Sequence, residues 1–406
     1  MTDVDSGSVE RLNQVVTTTA ITPTPTDITT VAITTTTTTK MTTSTPIPQS
    51  TRQWILNSKP ASTPILTSGP SPDSPPPTFK PTTTPLPALT ATQTLLKTLY
   101  ISNDPAQRGQ MSALIDPARL YVPPMDLHAP VRTYTISQVL SSGDPAALAP
   151  GTIVLAGGSW SEYSIAEIAD CEVLDTEALP GVGLTHFMGS FGYPGLTALY
   201  GLREVAKLKQ GESLVVSGAA GAVGGMVVQI AKKVLGAGRV IGIAGTEDKC
   251  RWVEKLGADV CLNYKKEGFQ DELWKETEGF VDVYFVADNV GGEILDLMLL
   301  RVKRYGRIAA CGTIANYNKD DDPVALKNFY QVIINRINVL GFIIFDYNDH
   351  IKEAREELIQ AYKDGKLIVD DATETVVEAT FEEIPHVWMK LFDGSNTGKL
   401  TTKLVG

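Results

Sequence analysis

The residues best suited to holding a charged ligand lie in the run Ser217-Gly218-Ala219-Ala220-Gly221-Ala222-Val223-Gly224. The apolar stretch SLVV precedes it and the apolar-periodic GMVVQIAKKVLG follows, so the pattern is strand, tight turn, helix. With Ala219 in the first glycine position it reads as A-x-G-x-x-G, a dinucleotide-binding turn. Gly221 lets the backbone approach a pyrophosphate, and Gly224 lets the helix pack closely on the strand. The helix start at Ala222 and Val223 offers N–H groups to the phosphates. A glycine turn with no ligand is the alternative. The second strand at Val240 argues against it by completing a β-α-β unit.

The end of that second strand separates the two nicotinamide cofactors. A carboxylate there accepts from the adenosine ribose, whereas a 2′-phosphate needs a cation. About twenty residues past Gly224 the chain reads Ala244-Gly245-Thr246, with no carboxylate, and Lys249 follows. NADP(H) is favoured, with Lys249 on the 2′-phosphate. Glu247 and Asp248 pull the other way, and a solvated lysine in the first helical turn is the plainer reading of Lys249.

The elements that must position these groups follow from the rhythm of the chain. Five apolar strands, expected at Ser213–Ser217, Val240–Ala244, Val260–Asn263, Val281–Val286 and Arg307–Cys311, alternate with amphipathic helices from about residue 179 to 340. That alternation marks a parallel, doubly wound Rossmann sheet. Upstream, residues 51–178 show short apolar runs broken by Pro and Gly, the mark of an irregular β-barrel. Residues 341–406, with an acidic helix pattern over Ile351–Asp364, are expected to return to that first domain. Residues 1–50 are Thr-rich, with six consecutive threonines from Thr34 to Thr39, and have no face to bury, so a disordered tail is expected. The stretch Pro70–Pro87, containing Pro75, Pro76 and Pro77, reads as an extended loop.

Composition excludes several classes. Among 406 residues the net charge is -11 and the pI about 5.0, which argues against nucleic acid as a partner. No apolar stretch reaches the length of a signal peptide or a membrane span, so a cytoplasmic protein is expected. Cys171, Cys250, Cys261 and Cys311 are too widely spaced for a metal knuckle and read as reduced thiols. The histidines His128, His186, His350 and His386 are scattered, which argues against zinc.

Several motifs carry a family resemblance. SGAAGAVG, AGTEDK, LGADVCLNYKK, DNVGGEILD and GRIAACGTIANYN occur in that order, after YISNDPAQRGQM and FGYPGLTALYGL. Together, from about Tyr100 to Gly406, they resemble the leukotriene B4 dehydrogenase/prostaglandin reductase branch of the zinc-independent medium-chain dehydrogenases/reductases, which includes the alkenal double-bond reductases. The resemblance implies a Rossmann domain inserted into a GroES-like β-barrel catalytic domain, NADP(H) in the cleft between them, and a homodimer. It implies cofactor contacts at Gly221 to Gly224, Lys249, Tyr264 and Asn289. Near the nicotinamide it implies Cys311, Gly312, Thr313, Ile314, Ala315 and Asn316, then Phe342, Ile343, Ile344 and Asn396. Tyr264 as a cap on the sheet, and Asn289 and Asn396 as turn formers, are the bland alternatives. Three departures stand out: Ala106 replaces the tyrosine after Asp-Pro, Val286 and Ala287 are extra before DNVGG, and the Pro-rich stretch matches poorly.

The chemistry so implied is hydride addition to the β-carbon of an α,β-unsaturated ketone or aldehyde. Charge then builds on the carbonyl oxygen, and with no Lewis acid a hydrogen-bond donor must hold it. Tyr317 matches the branch's substrate-facing tyrosine and is the expected catalytic donor, although taken alone it reads more readily as a loop residue that packs. Oxidation of a secondary alcohol, quinone reduction, and a redox-inactive NADPH-binding scaffold share the same cofactor features. A role in secondary metabolism is the biological expectation.

Overall fold

The computed structural model describes residues 47–406 except 68, 70, 72–73, 176, 178, 288–291, 313–316 and 319–324. Most of the Thr-rich tail, up to residue 46, lies outside the described residues. The chain opens with β1 (Ser50–Leu56), β2 (Phe79–Pro85), β3 (Gln93–Ser102), α1 (Ala106–Met111), β4 (Arg132–Ser142), β5 (Ile153–Ser159), β6 (Tyr163–Glu167) and β7 (Glu172–Val173). The middle comprises α2 (Tyr193–Tyr200), β8 (Ser213–Ser217), α3 (Ala222–Gln229), β9 (Arg239–Ala244), α4 (Glu247–Leu256), β10 (Val260–Asn263) and α5 (Phe269–Glu276). It continues with β11 (Val281–Val286), α6 (Glu293–Leu299), β12 (Val302–Ala310), α7 (Tyr330–Asn335) and β13 (Asn338–Gly341). Then come α8 (Ile351–Lys363), β14 (Glu374–Ala379), α9 (Ile384–Asp393) and β15 (Lys399–Leu404).

Six strands form a parallel sheet in the order β10-β9-β8-β11-β12-β13. Helices cover both faces, so the central strands are largely apolar and alternate between two cores: in β8, Leu214 and Val216 face one, Val215 the other. Strand order reverses at β8, and the crevice at such a switch point is where doubly wound sheets bind ligands. The first-domain sheet runs β14-β15-β3-β4-β5-β7, with β6 also on β3, so the C-terminal strands close onto the N-terminal ones.

Three expectations need adjustment. The Pro-rich stretch is not all loop, because β2 pairs antiparallel with β1 with Pro81 opposite Trp54. The β-branched threonines at 82–84 favour the strand, and Pro81 sits in a strand that pairs only with β1 among the described residues, where a missing N–H is tolerated. The helix α8 does not leave with the returning segment. Its Ala354, Leu358 and Ala361 are buried with Leu196 and Val227 in the core beside α2 and α3, and the return begins at β14. Finally, β12 starts five residues before the expected Arg307; its first half is polar, with Tyr305 at φ 63°, and hides the strand period.

Candidate active site

The turn after β8 is shaped by close approach. A Cβ on Gly224 would lie 2.2 Å from the Gly218 carbonyl oxygen, so the first turn of α3 can pack against the strand end only with glycine there. The first amides of a helix lack intrahelical acceptors, and the turn residues just before them here, Gly218, Ala220 and Gly221, line a cavity of about 760 Å³. That volume suits a dinucleotide-sized ligand.

Across the cavity, α4 begins at the end of β9. Thr246 caps it, its hydroxyl accepting from the Lys249 N–H at 3.2 Å. Loss of such a cap costs about 1 kcal/mol. The carboxylates that clouded the sequence reading belong to this first turn, where they complement the helix dipole. Asp248 is exposed and paired with Arg251, and Glu247 accepts from Asn263, so neither lines the cavity. Lys249, half-buried, does line it, together with Tyr264 and Lys265. Burial, and then the neighbouring Lys265, hold the Lys249 ammonium below its usual pKa, partly offset by Asp393. Two ammonium groups converging on one concave surface suit a phosphate. The Tyr264 ring packs on Gly245, where a Cβ would meet it at 3.2 Å.

The far wall is the turn between α9 and β15. Lys249 donates to the carbonyls of Gly394 at 2.7 Å and Asn396 at 2.6 Å. The Gly398 N–H donates to the Ala220 carbonyl at 2.8 Å, and Asn396 Nδ2 to the Gly398 carbonyl at 3.0 Å. Gly398 has φ +62°, and a Cβ there would stand 1.9 Å from the Thr373 oxygen, so the turn demands glycine. The returning segment is thus stapled to the turn after β8, and the cavity is large enough for a nicotinamide dinucleotide, with Lys249 and Lys265 placing positive charge in its wall.

Comparison with known proteins adds to this geometry. Residues 222–362 match the family described as zinc-binding dehydrogenase, and residues 52–174 the N-terminal domain of oxidoreductase. The chain is 37% identical over 308 residues to the NADP-dependent 2-alkenal reductase of Nicotiana tabacum, covering 75% of this chain and 85% of that one. It is 34% identical over 328 residues to prostaglandin reductase 1 of Bos taurus, covering 80% and 93%. CurA of Vibrio vulnificus, solved in complex with NADPH, superposes with a TM-score of 0.74 at 31% identity, over 87% of this chain and 99% of that one. The chain belongs to the medium-chain dehydrogenase/reductase family. Within it, these relatives place the protein in the branch of the alkenal and prostaglandin reductases.

Measured against that branch's pattern, this reductase brings Gly221, Lys249, Tyr264 and Asn396 to one cavity, with Ala222, Val223 and Gly224 in the adjoining helical turn. Asn289 and residues 313–316 lie outside the described residues. Cys311 and Gly312 follow the end of β12, the Cys311 thiol donating to the Val286 carbonyl at 3.3 Å. Phe342 and Ile344 are buried in the Rossmann core, Phe342 edge-on to Phe285, and Ile343, between them, is half-buried. Their apolar character is explained by packing. The extra residues Val286 and Ala287 are likewise buried at the end of β11. Among the described residues no three His, Cys, Asp or Glu side chains converge to hold a metal.

Tyr317 is half-buried in a turn with Asn318, and Asn318 lines the cavity. The motif reading missed Lys265, Asn318 and the anchoring of the Asp-Pro turn. Asp104 accepts from Lys399 Nζ at 2.6 Å and from Ser102 Oγ at 2.5 Å, and its carbonyl accepts from Trp388 Nε1 at 3.3 Å. Lys265 was legible, standing directly after the tyrosine of LNYKK. The contacts of Asn318 with Arg108 and of Asp104 with Lys399 and Trp388 join residues some 200 to 300 positions apart and leave no local signal.

Beneath the Asn396–Gly398 turn lies a buried acid. Glu374, beside Lys399 in the β14–β15 register, accepts from Thr185 Oγ1 and stands 3.7 Å from His186. Burial raises the Glu374 carboxyl to about 6 and lowers the His186 imidazole to about 4, so at neutral pH the histidine is uncharged.

Proposed function

We propose that the chain is an NADPH-dependent reductase of activated carbon–carbon double bonds, acting on α,β-unsaturated ketones or aldehydes. The observation that carries this reading is the cavity shared by the phosphate turn, Lys249, Lys265 and Asn396, in which Asp393 is the one carboxylate among the described lining residues and accepts from the Ser395 N–H. NADPH, when bound, supplies the hydride that adds to the substrate's β-carbon. Lys249 and Lys265 bind the 2′-phosphate, and the amides of α3 bind the pyrophosphate. The Asn396 turn orients the ribose. As electron density moves onto the carbonyl oxygen, the Tyr317 hydroxyl donates to it and stabilises the enolate, while solvent protonates the α-carbon. The names of the 2-alkenal and prostaglandin reductases support this substrate class.

The working form we propose is a cytoplasmic homodimer. The free edge of the Rossmann sheet at β13, with α7, exposes Tyr305, Phe329, Tyr330, Ile333 and Val339 by 49% to 66%. An apolar patch of this kind on a parallel sheet edge suits a second copy. A carbon–carbon double bond reduced in secondary metabolism is the fitting substrate source.

The test is consumption of NADPH, followed by loss of its near-ultraviolet absorbance, on mixing with a short enone. Turnover with NADPH, weaker turnover with NADH, and a saturated carbonyl product are expected. Reduction of the carbonyl to an alcohol, or of quinones alone, would replace this reading with the alcohol or quinone one.

A further inference from the structure

Arg108 is fully buried, 1% exposed, on the short helix α1. A cation removed from water is tolerated only where its donors find acceptors, so packing alone does not explain it. Its Nε donates to Asn318 Oδ1 at 3.0 Å and its Nη2 to the Ser62 carbonyl at 2.8 Å. Asn318 follows Tyr317 in the turn beyond β12, and Ser62 precedes Thr63. Thr63 and Asn318 both line the cavity. The helix that presents Arg108 is itself fixed. Asp104 is held by Lys399 and Ser102, its N–H donates to Gln107 Oε1 at 3.0 Å, and Gln107 Nε2 donates to the Arg132 carbonyl at 2.8 Å.

We propose that Arg108 is a positioning residue. Its rigid fork of donors ties the Tyr317–Asn318 turn of the Rossmann domain to the Ser62–Thr63 segment of the first domain, and so sets where the Tyr317 hydroxyl stands. Lysine, with one rotatable ammonium, cannot hold two segments in the same fixed geometry. The proposal rests on the reading of Tyr317 as the donor to the carbonyl oxygen.

The experiment compares Arg108→Met, Arg108→Lys, Asn318→Ala and the Met/Ala double variant, in the full chain, by single-turnover hydride transfer to an enone and by NADPH fluorescence titration. Arg108→Met is expected to slow hydride transfer about tenfold to hundredfold, as misplacement of a catalytic group does, with the NADPH Kd held within about twofold. Arg108→Lys recovers part of the rate. Asn318→Ala gives a smaller loss of the same kind, and the double variant is no slower than Arg108→Met, because both act through one contact. Equal losses in NADPH binding and hydride transfer, or losses that multiply in the double variant, would overturn the proposal. If Arg108→Met does not fold, Asn318→Ala decides: an unchanged rate overturns it. If the wild-type protein reduces no enone, the functional reading fails by itself. Arg108 is then judged by amide hydrogen exchange in the peptide holding Tyr317 and Asn318, expected to be faster in Arg108→Lys; equal exchange overturns it.

Discussion

The two ends of the cavity are built by different means. The end we propose for the adenosine is assembled from the edges of regular elements: the turn between β8 and α3, the capped start of α4, and the residues just after β10. The end assigned to the reacting groups is assembled from segments outside regular elements, the Tyr317–Asn318 turn and the chain near Ser62, joined through Arg108. Strand and helix ends fix a side chain through a ladder of backbone bonds. A loop residue depends on a few side-chain contacts from elsewhere, so one substitution there carries further.

The largest effect is therefore expected at the loop-built end. Tyr317→Phe should slow single-turnover hydride transfer to an enone on the order of a hundredfold at saturating NADPH, since the hydroxyl acts as charge develops. NADPH binding should be unchanged. A rate equal to wild type would make Tyr317 a packing residue.

At the adenosine end the effect should fall on binding and depend on the cofactor. Charge-assisted hydrogen bonds contribute roughly 1.5–3 kcal/mol, so Lys249→Ala should weaken NADPH about tenfold to a hundredfold. NADH should change little, apart from a small loss from releasing the carbonyls of Gly394 and Asn396. Equal losses for both cofactors would show that Lys249 serves only as a staple, and would transfer the phosphate to Lys265.

How much of this was legible in the sequence follows the same division. The strands at Ser213–Ser217, Val260–Asn263 and Val281–Val286 lie where the apolar runs put them, since a strand covered on both faces must be apolar throughout. The turn after β8 and the start of α4 follow from local spacing, and Gly221 and Lys249, which they carry, both line the cavity. Phe342 and Ile344 were named through the resemblance alone, and their burial is a property of the assembled core. Arg108 and Lys399 gave no signal, because a buried cation and its acceptors are joined only by folding.

The acid beneath the Asn396 turn sharpens the comparison through stability. With its pKa raised from 4.5 to about 6, Glu374 binds a proton more tightly folded than unfolded. Its contribution is full below pH 4.5 and lost as pH rises through 6. Glu374→Gln should thus stabilise the protein by about 2 kcal/mol at pH 8 and by nothing near pH 4 in urea titrations. The neighbouring His186, lowered from 6.5 to about 4, works oppositely: its stability is full above 6.5 and lost as pH falls toward 4. A Glu374→Gln gain that did not vary with pH would exclude titration of this carboxyl as its cause.

The smallest effect is expected outside both ends. Removing residues 1–46 should leave the melting temperature and turnover unchanged, because the tract offers no packable face. Dialysis against a chelator should likewise leave turnover intact. Loss of a cooperative transition in the truncated protein would give the tail a structural role.

The central claim is hydride delivery from NADPH to the β-carbon of an enone, and isotopic labelling tests it most directly. NADPH carrying deuterium at the transferable position of C4, with an enone in ordinary water, should give a saturated ketone with deuterium at the β-carbon and ordinary hydrogen at the α-carbon. Deuterium at the carbonyl carbon of an alcohol product, or none in the product, would contradict the account.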